Sequence, residues 1–207
     1  MSLVVENLTY TYDCGEFAFL QKPLFSEVSF AVAPGSILHI IGENGSGKTT
    51  LLKIIAGILV VDDICVKYKN QPIAEQSLCY KQQICYVGHK LGINLQLSVL
   101  ENCCYDLKNN SSMAEIVEFL QFFQLYALRD KPCGQLSAGQ KKRVALMRLL
   151  LSSAEIWILD EPFTALDTEF VKIFLECMRR HLNNSGLIIY TSHQSLDLPG
   201  CKHSEYY

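Results

Sequence analysis

The sequence predicts an α/β domain with a parallel sheet at its centre. Short apolar strands alternate with helix-like segments along the 207 residues, and this alternation is typical of parallel sheets covered by helices. A glycine-rich loop also joins one of these strands directly to a helix. Apolar residues make up 49% of a chain long enough to bury a full core, which excludes global disorder. We expect one domain over residues 1–207.

The first half of the chain predicts mainly strands. The first two predicted strands alternate loosely between their two faces, as strands do, and the third is a short apolar run suited to a buried parallel strand. Gly57 marks the end of the helix that follows the glycine-rich loop. The elements predicted in this half are strands over 2–12, 24–32, 36–41, 64–68 and 84–87, and a helix over 49–56.

The second half predicts a helical lobe and then a return to the sheet. Residues 95–133 have a helical pattern, and Ser112 with Glu115 forms a capping box that opens a helix there. The elements predicted after the lobe are a helix from Lys141 to about Leu151, strands over 156–159 and 187–190, a helix over about 168–182 and a loose tail over 199–207.

Charge and hydropathy exclude several classes of function. The net charge is −3, and no run of Lys and Arg is longer than three, which argues against a nucleic-acid partner. No segment has the roughly 20 apolar residues that a transmembrane helix needs, and the first residues do not resemble a signal peptide. We therefore expect a cytosolic chain whose nine cysteines, none in a CxxC pair, are thiols.

The glycine-rich loop has the pattern G-x-x-x-x-G-K-T. Glycines let backbone N–H groups curl around phosphate oxygens, and the helix dipole adds to the attraction. Lys48 would reach the β- and γ-phosphates, and the Thr49 hydroxyl would ligate Mg²⁺. The loop therefore predicts nucleotide binding. Its residues are Gly42, Glu43, Asn44, Gly45, Ser46, Gly47, Lys48 and Thr49, followed by Thr50.

Two carboxylates follow the apolar strand 156–159. Asp160 is a candidate for holding Mg²⁺, through water, and Glu161 for polarising the attacking water as a general base. The alternative is an ordinary strand-end turn with solvated acids. The phosphate loop upstream favours the catalytic interpretation.

Two further segments are candidates for phosphate contacts. Ser137 and the N–H of Gly139 lie at the start of a predicted helix, which is a ready anion site. A second phosphate site beside the first makes sense if it serves the nucleotide of another protomer, and the alternative is a plain N-cap at Ser137. His193 follows the last predicted strand, where ligands of parallel sheets lie, and could bond a γ-phosphate or be merely structural.

Taken in order, these motifs resemble the nucleotide-binding subunit of ABC transporters. The motifs are GENGSGKT at 42–49, LSAGQ at 136–140, ILDEP at 158–162, Ala165-Leu166-Asp167 and His193. The resemblance implies the ABC ATPase fold, with a P-loop NTPase (RecA-like) core, an N-terminal antiparallel β-subdomain and a helical subdomain inserted at about 92–150. It implies ATP and Mg²⁺ as ligands. It also implies a head-to-tail homodimer, with each ATP held between the phosphate loop of one chain and the LSAGQ of the other.

The resemblance assigns further residues. Gln140 belongs to the LSAGQ contact, and Asp167 would lie in the loop that communicates across the dimer. Tyr12 resembles the aromatic residue that stacks on adenine, with Tyr10 as the second choice and an ordinary strand tyrosine as the alternative. His89 stands where a glutamine usually ends the strand before the helical lobe, and its neutral imidazole could still accept a water or metal contact.

Three segments resemble one subfamily, the ATP-binding subunit of the bacterial cytochrome c maturation haem exporter. They are Gly88-His89, the run 136–167 and the ending TSHQSL at 191–196. This resemblance implies an integral permease partner, a peripheral position on the cytoplasmic face of the inner membrane, and an indirect link to a periplasmic haem chaperone. Haem export and release of haem-loaded chaperone are both open roles. The alternatives are an ABC ATPase for another cargo, such as a lipid, drug or peptide, and a non-transport ABC protein.

Overall fold

The computed structural model describes residues 2–12, 22–61, 65–105, 111–192 and 202–206. In chain order the elements are β1 (Leu3–Tyr10), β2 (Phe25–Val32), β3 (Ser36–Ile40), α1 (Lys48–Ile55), β4 (Val66–Tyr68), β5 (Gln71–Pro72), α2 (Ser77–Gln82), β6 (Ile84–Val87), α3 (Val99–Cys104), α4 (Met113–Phe122), α5 (Ala138–Leu151), β7 (Ile156–Asp160), α6 (Thr168–Asn183), β8 (Leu187–Thr191) and β9 (Lys202–Tyr206). Within these ranges no helix has both the length and the apolar character that crossing a membrane requires.

Two sheets organise the described residues. The first is antiparallel, with strand order β2-β1-β4-β5, and the second is parallel, with order β6-β7-β8-β3-β9. The central strands β3, β7 and β8 are buried along their whole length, which is why they read as continuous apolar runs in the sequence. The predicted α/β class with a parallel sheet is confirmed.

The parallel sheet is covered on both faces. Along β7, Trp157 and Leu159 point into one core, which α5 and α6 cover, while Ile156 and Ile158 point into the other, which α1 and the antiparallel sheet cover. This alternation follows from the two-residue repeat of a strand. Because every strand of the sheet runs the same way, the ends of β3 and β7 that precede functional loops lie at one edge.

Short helices form the lobe that precedes α5. The predicted capping box at Ser112 and Glu115 is confirmed, since each residue bonds the backbone N–H of the other. A second box, formed by Ser98 and Glu101, opens α3 in the same way. Both α3 and α4 pack against α5, so the lobe rests on the helix that follows LSAGQ.

The expectation of a loose tail is wrong over 202–206. These residues form β9, which pairs in parallel with β3 from Ser36 opposite Lys202 to Ile40 opposite Tyr206. The segment pairs with the edge of the sheet through backbone hydrogen bonds, and its sequence has no apolar pattern that predicts a strand. The short helix α2, in which Tyr80 is the buried residue, was also not predicted, because six residues carry too little periodicity.

Candidate functional site

The glycine-rich loop connects β3 to α1, as predicted. Gly45 and Gly47 have φ angles of 86° and 95°, a region that favours glycine. A methyl group added to Gly47 would lie 2.8 Å from Cδ1 of Phe25, so β2 also restricts this position to glycine. Gly47 is the N-cap of α1 and offers no side-chain cap, which leaves the first turn of α1 suited to an anion.

Lys48 places its positive charge inside the loop. Its Nζ donates to the carbonyl oxygens of Gly42, at 2.6 Å, and Glu43, at 2.9 Å. An ammonium is a compact point charge with three donors, so it can serve the loop carbonyls and a phosphate oxygen together. The loop is therefore positioned for a phosphorylated ligand.

Asp160 lies at the end of β7 and is 4% exposed. The Thr49 hydroxyl donates to its Oδ2 at 2.8 Å, and the Thr191 hydroxyl donates to its Oδ1 at 2.9 Å. The structure thus joins the two predicted metal ligands, one from the loop and one from the strand. A hydroxyl and a carboxylate are hard oxygen donors, which fit Mg²⁺.

Glu161 follows with a φ of 47°, in the left-handed region that a glutamate enters only at a cost. Its N–H donates to the Thr191 hydroxyl at 3.0 Å, which helps to hold this conformation. On the other side of the same peptide, Lys142 Nζ donates to the Asp160 carbonyl oxygen at 3.4 Å. Burial lowers the pKa of the Lys142 ammonium, and the carboxylates of Asp160 and Glu161 act in the opposite direction.

One cleft of about 420 Å³ collects most of the predicted site residues. Tyr12 is half exposed there, and its hydroxyl shares a hydrogen bond of 2.7 Å with Thr50 Oγ1. His89 is exposed at the same cleft, on the segment that follows β6. The lining residues are Tyr12, Leu24, Asn44, Gly45, Gly47, Lys48, Thr49, Thr50, His89, Asp160 and Glu161.

A second cleft, of about 530 Å³, is lined by Ser137, Gly139 and Gln140 of LSAGQ. Ser137 caps α5: its Oγ accepts from the Gln140 N–H, and its own N–H donates to Gln140 Oε1. The plain N-cap that the sequence allowed is therefore present. In this cap the Ser137 hydroxyl acts only as an acceptor, so its hydrogen is still able to donate to a phosphate oxygen. Gly139 and Asp167 line the same cleft.

Asp167 bonds to both helices at the second cleft, α5 and α6. It caps α6 by accepting from the Phe170 N–H at 2.8 Å, and it forms an ion pair with Arg143 on α5. The Phe170 bond, and then Arg143, lower the pKa of the Asp167 carboxyl. Arg143 also donates to Gln124 Oε1 at 2.8 Å, so this guanidinium connects the lobe, α5 and the start of α6.

Most of the predicted residues thus divide between the two clefts, and His193 lies outside the described residues. Sequence reasoning missed Thr191, Lys142 and Arg143. Thr191 could have been found, because it ends the strand that neighbours β7. The sequence presents Lys142 and Arg143 only as part of a short basic run, and a lysine is rarely buried.

Comparisons with known proteins agree with this geometry. Residues 25–164 match the ABC transporter family model. The chain is 41% identical over 192 residues to the cytochrome c biogenesis ATP-binding export protein CcmA of Legionella pneumophila strain Lens, covering 93% of this chain and 96% of that protein. It is 38% identical over 197 residues to the CcmA protein of Vibrio vulnificus strain CMCP6, covering 94% and 93%. A solved structure, a putative ABC transporter ATP-binding protein from Pyrococcus furiosus, has a TM-score of 0.78 at 26% identity and covers 99% of this chain and 97% of that one.

Proposed function

Since the chain belongs to the ABC transporter family, within it to the cytochrome c biogenesis ATP-binding export proteins, we propose that it is the ATP-hydrolysing subunit of a complex for biogenesis of c-type cytochromes. The cleft in which the phosphate loop meets Asp160 and Glu161 carries the ATP-hydrolysing part of this proposal. The 41% identity to a cytochrome c biogenesis ATP-binding export protein carries the rest. We further propose that residues 1–207 act as one ABC ATPase domain, with the helical subdomain at about 92–150.

The cleft supports a division of labour in hydrolysis. Lys48 and the first turn of α1 hold the phosphates and offset the charge that develops during transfer. Glu161 takes a proton from a water molecule while the oxygen of that water attacks the γ-phosphorus. The bond from the γ-phosphorus to the β–γ bridging oxygen then breaks. Tyr12 offers a half-exposed ring for the adenine at the rim of the cleft.

Thr49 and Asp160 would hold Mg²⁺. Their oxygens are already 2.8 Å apart and belong to the loop and strand that border the phosphates. When bound, the ion neutralises phosphate charge and polarises the phosphoryl group. His89 lies on the same cleft and offers a ring nitrogen to a water molecule, at the position where the resemblance to ABC transporter subunits leads us to expect a glutamine.

Two chains are needed to complete each site. The polar residues and the glycine of LSAGQ, together with Asp167, line a cleft separate from the one that contains Lys48 and Glu161. A head-to-tail homodimer would bring Ser137 and Gly139 of one chain to the ATP in the other, and His193 would contact the γ-phosphate from its own chain. Nucleotide binding would then close the dimer, and hydrolysis would reopen it.

The names of the relatives point to the wider complex. The Legionella and Vibrio proteins are named ATP-binding export proteins, and we infer from those names that this chain works with an integral permease partner. We place this chain as a peripheral subunit on the cytoplasmic face of the inner membrane. Its work is haem export or release of haem-loaded chaperone on the periplasmic side, with no nucleic acid involved.

The test of this proposal uses the variant Glu161→Gln. It removes the base but keeps size and hydrogen bonding, so we expect turnover to fall by at least about 10²-fold while ATP still binds and traps a dimer. Glu169→Gln, an exposed neutralisation on α6, is the matched control and should keep parent turnover. Parent-like hydrolysis by Glu161→Gln would show that another group is the base.

The trapped variant also tests the partner. Tagged Glu161→Gln protein is captured from detergent-solubilised native membranes with ATP and Mg²⁺, co-purifying chains are identified, and haem is measured by absorbance. A polytopic membrane protein with haem-handling chains supports the cytochrome c role. A permease of another kind would keep the ATPase and replace the cargo, and ribosomal or chromosomal partners would contradict a transport role.

A further inference from the structure

Lys142 is a buried lysine with no place in the proposed chemistry. It lies in the second turn of α5 and is 6% exposed. Burying an ammonium is costly unless polar groups compensate. Its Nζ donates to the Asp160 carbonyl oxygen at 3.4 Å, and the carboxylates of Asp160 and Glu161 attract its charge. The compensation therefore comes from the strand end that carries the proposed base.

The bond to Lys142 completes a clamp on one peptide unit. The carbonyl of the Asp160–Glu161 peptide accepts from Lys142, and the N–H of the same unit donates to the Thr191 hydroxyl. Because a peptide is planar, holding its oxygen and its hydrogen fixes its orientation. The orientation of this peptide sets the direction in which the Glu161 side chain leaves the backbone. The backbone φ of Glu161 is 47°, a value that a glutamate does not adopt unaided.

Lys142 also belongs to the helix that begins in the second cleft. Ser137, the N-cap of α5, precedes it by five residues, which is about 7.5 Å along a helix. The helix between them is continuous, and its following turns are buried in the core. A displacement of α5 that follows ligand contact at Ser137 would therefore reach the clamped peptide directly.

We propose that Lys142 is a positioning residue of the ATPase: it holds the Asp160 carbonyl so that Glu161 faces the attacking water, and it couples α5 to that base. This inference rests on the proposed hydrolysis of ATP. In the head-to-tail dimer, the LSAGQ of one chain would contact a phosphate at one ATP site. Through Lys142, this contact would adjust the position of Glu161 in the same chain, at the other ATP site.

The experiment measures steady-state ATP hydrolysis and ATP affinity of the purified full chain. Lys142→Met removes the charge and the donors at similar volume, Lys142→Gln keeps a shorter donor, and Lys142→Arg keeps a charged donor. Lys141→Met, one residue away on a less buried face, makes the same change in charge and is the matched control. Thermal unfolding of each variant reports whether the fold is retained.

We expect Lys142→Met to lower kcat about ten- to a hundredfold, as small displacements of a reacting group do, with KM and the Kd of ATP within about twofold. Lys142→Arg should restore most of kcat, Lys142→Gln less, and Lys141→Met should match the parent. If Lys142→Met does not fold, the Arg and Gln variants make the same comparison.

Two results would overturn the inference. One is a kcat of the folded Met or Gln variant equal to that of Lys141→Met. The other is a parallel loss of kcat and ATP affinity that Arg does not reverse, since that describes a structural lysine. An inactive parent protein would instead count against the proposed function, so the two failures are distinguishable.

Discussion

Replacing Thr191 by Val tests how the end of β7 is held. Thr191 is fully buried at the end of β8, and its hydroxyl makes two bonds that valine cannot make. It donates to Asp160 Oδ1 at 2.9 Å and accepts from the Glu161 N–H at 3.0 Å. Valine has nearly the same shape, so the substitution removes these bonds and leaves the packing in place.

The cost can be worked out from these two bonds. A hydrogen bond to a charged group contributes about 1.5–3 kcal/mol, and a buried N–H left without a partner costs about 1–3 kcal/mol. Since Asp160 keeps its bond to Thr49, we take the lower part of both ranges and expect a loss of about 3 kcal/mol. For a chain of this size that corresponds to a Tm lower by about 6–12 °C.

The assay is thermal unfolding of Thr191→Val beside Thr191→Ser. Serine keeps the hydroxyl and loses one buried methyl, which costs about 1 kcal/mol. Thr191→Val should therefore unfold at the lower temperature and also lose kcat, because the peptide before Glu161 loses its hold. A Tm of Thr191→Val equal to or above that of Thr191→Ser would refute the reasoning.

Two further predictions concern pH and the phosphate loop. His181 stacks on Trp157 with ring centroids 3.9 Å apart, and burial lowers its pKa from 6.5 to about 4. The unfolded chain therefore binds this proton more readily than the folded chain. The neutral His181 should contribute about 3 kcal/mol to the free energy of unfolding above pH 6.5, and this contribution should be lost as the pH falls to 4. Urea unfolding should show this loss in the parent but not in His181→Gln, and an equal dependence of the unfolding free energy on pH in both proteins would contradict it. Gly47→Ala should lower the Tm more than Gly45→Ala, because both residues have positive φ but only the first would clash, with Phe25 and Leu24; an equal loss would show that strain alone decides.

Local signals could be predicted from the sequence. The phosphate loop is eight consecutive residues, a short apolar run predicts the strand before it, and Gly57 marks the end of the helix after it. The Ser112 box needs only a glutamate three residues away. The acids Asp160 and Glu161 were found because they directly follow an apolar strand. In each case the residues that cooperate are neighbours in the chain.

What could not be predicted depends on residues distant in the chain. The bond between Thr49 and Asp160 requires β3 and β7 to be in one sheet, with β8 between them. Lys142 is buried because α5 packs on the sheet and brings this residue to the end of β7. Lysine side chains are usually exposed, so the residue type predicts the opposite. The strand β9 is recognised by its backbone pairing with β3, and its polar sequence does not predict a strand.

The pairing of β3 decides when this protein can acquire its function as it leaves the ribosome. Within the parallel sheet, β3 pairs with β8 and β9, and Ile37 meets Ile188, which is 151 positions later. At about 5–20 residues per second, the strand before the phosphate loop waits roughly 8–30 s for its first partner. The antiparallel sheet can close earlier, because β1, β2 and β4 all lie within the first third of the chain. The nascent chain thus carries its nucleotide motif long before it has a nucleotide site, and contact order makes ATP binding one of the last properties to be gained.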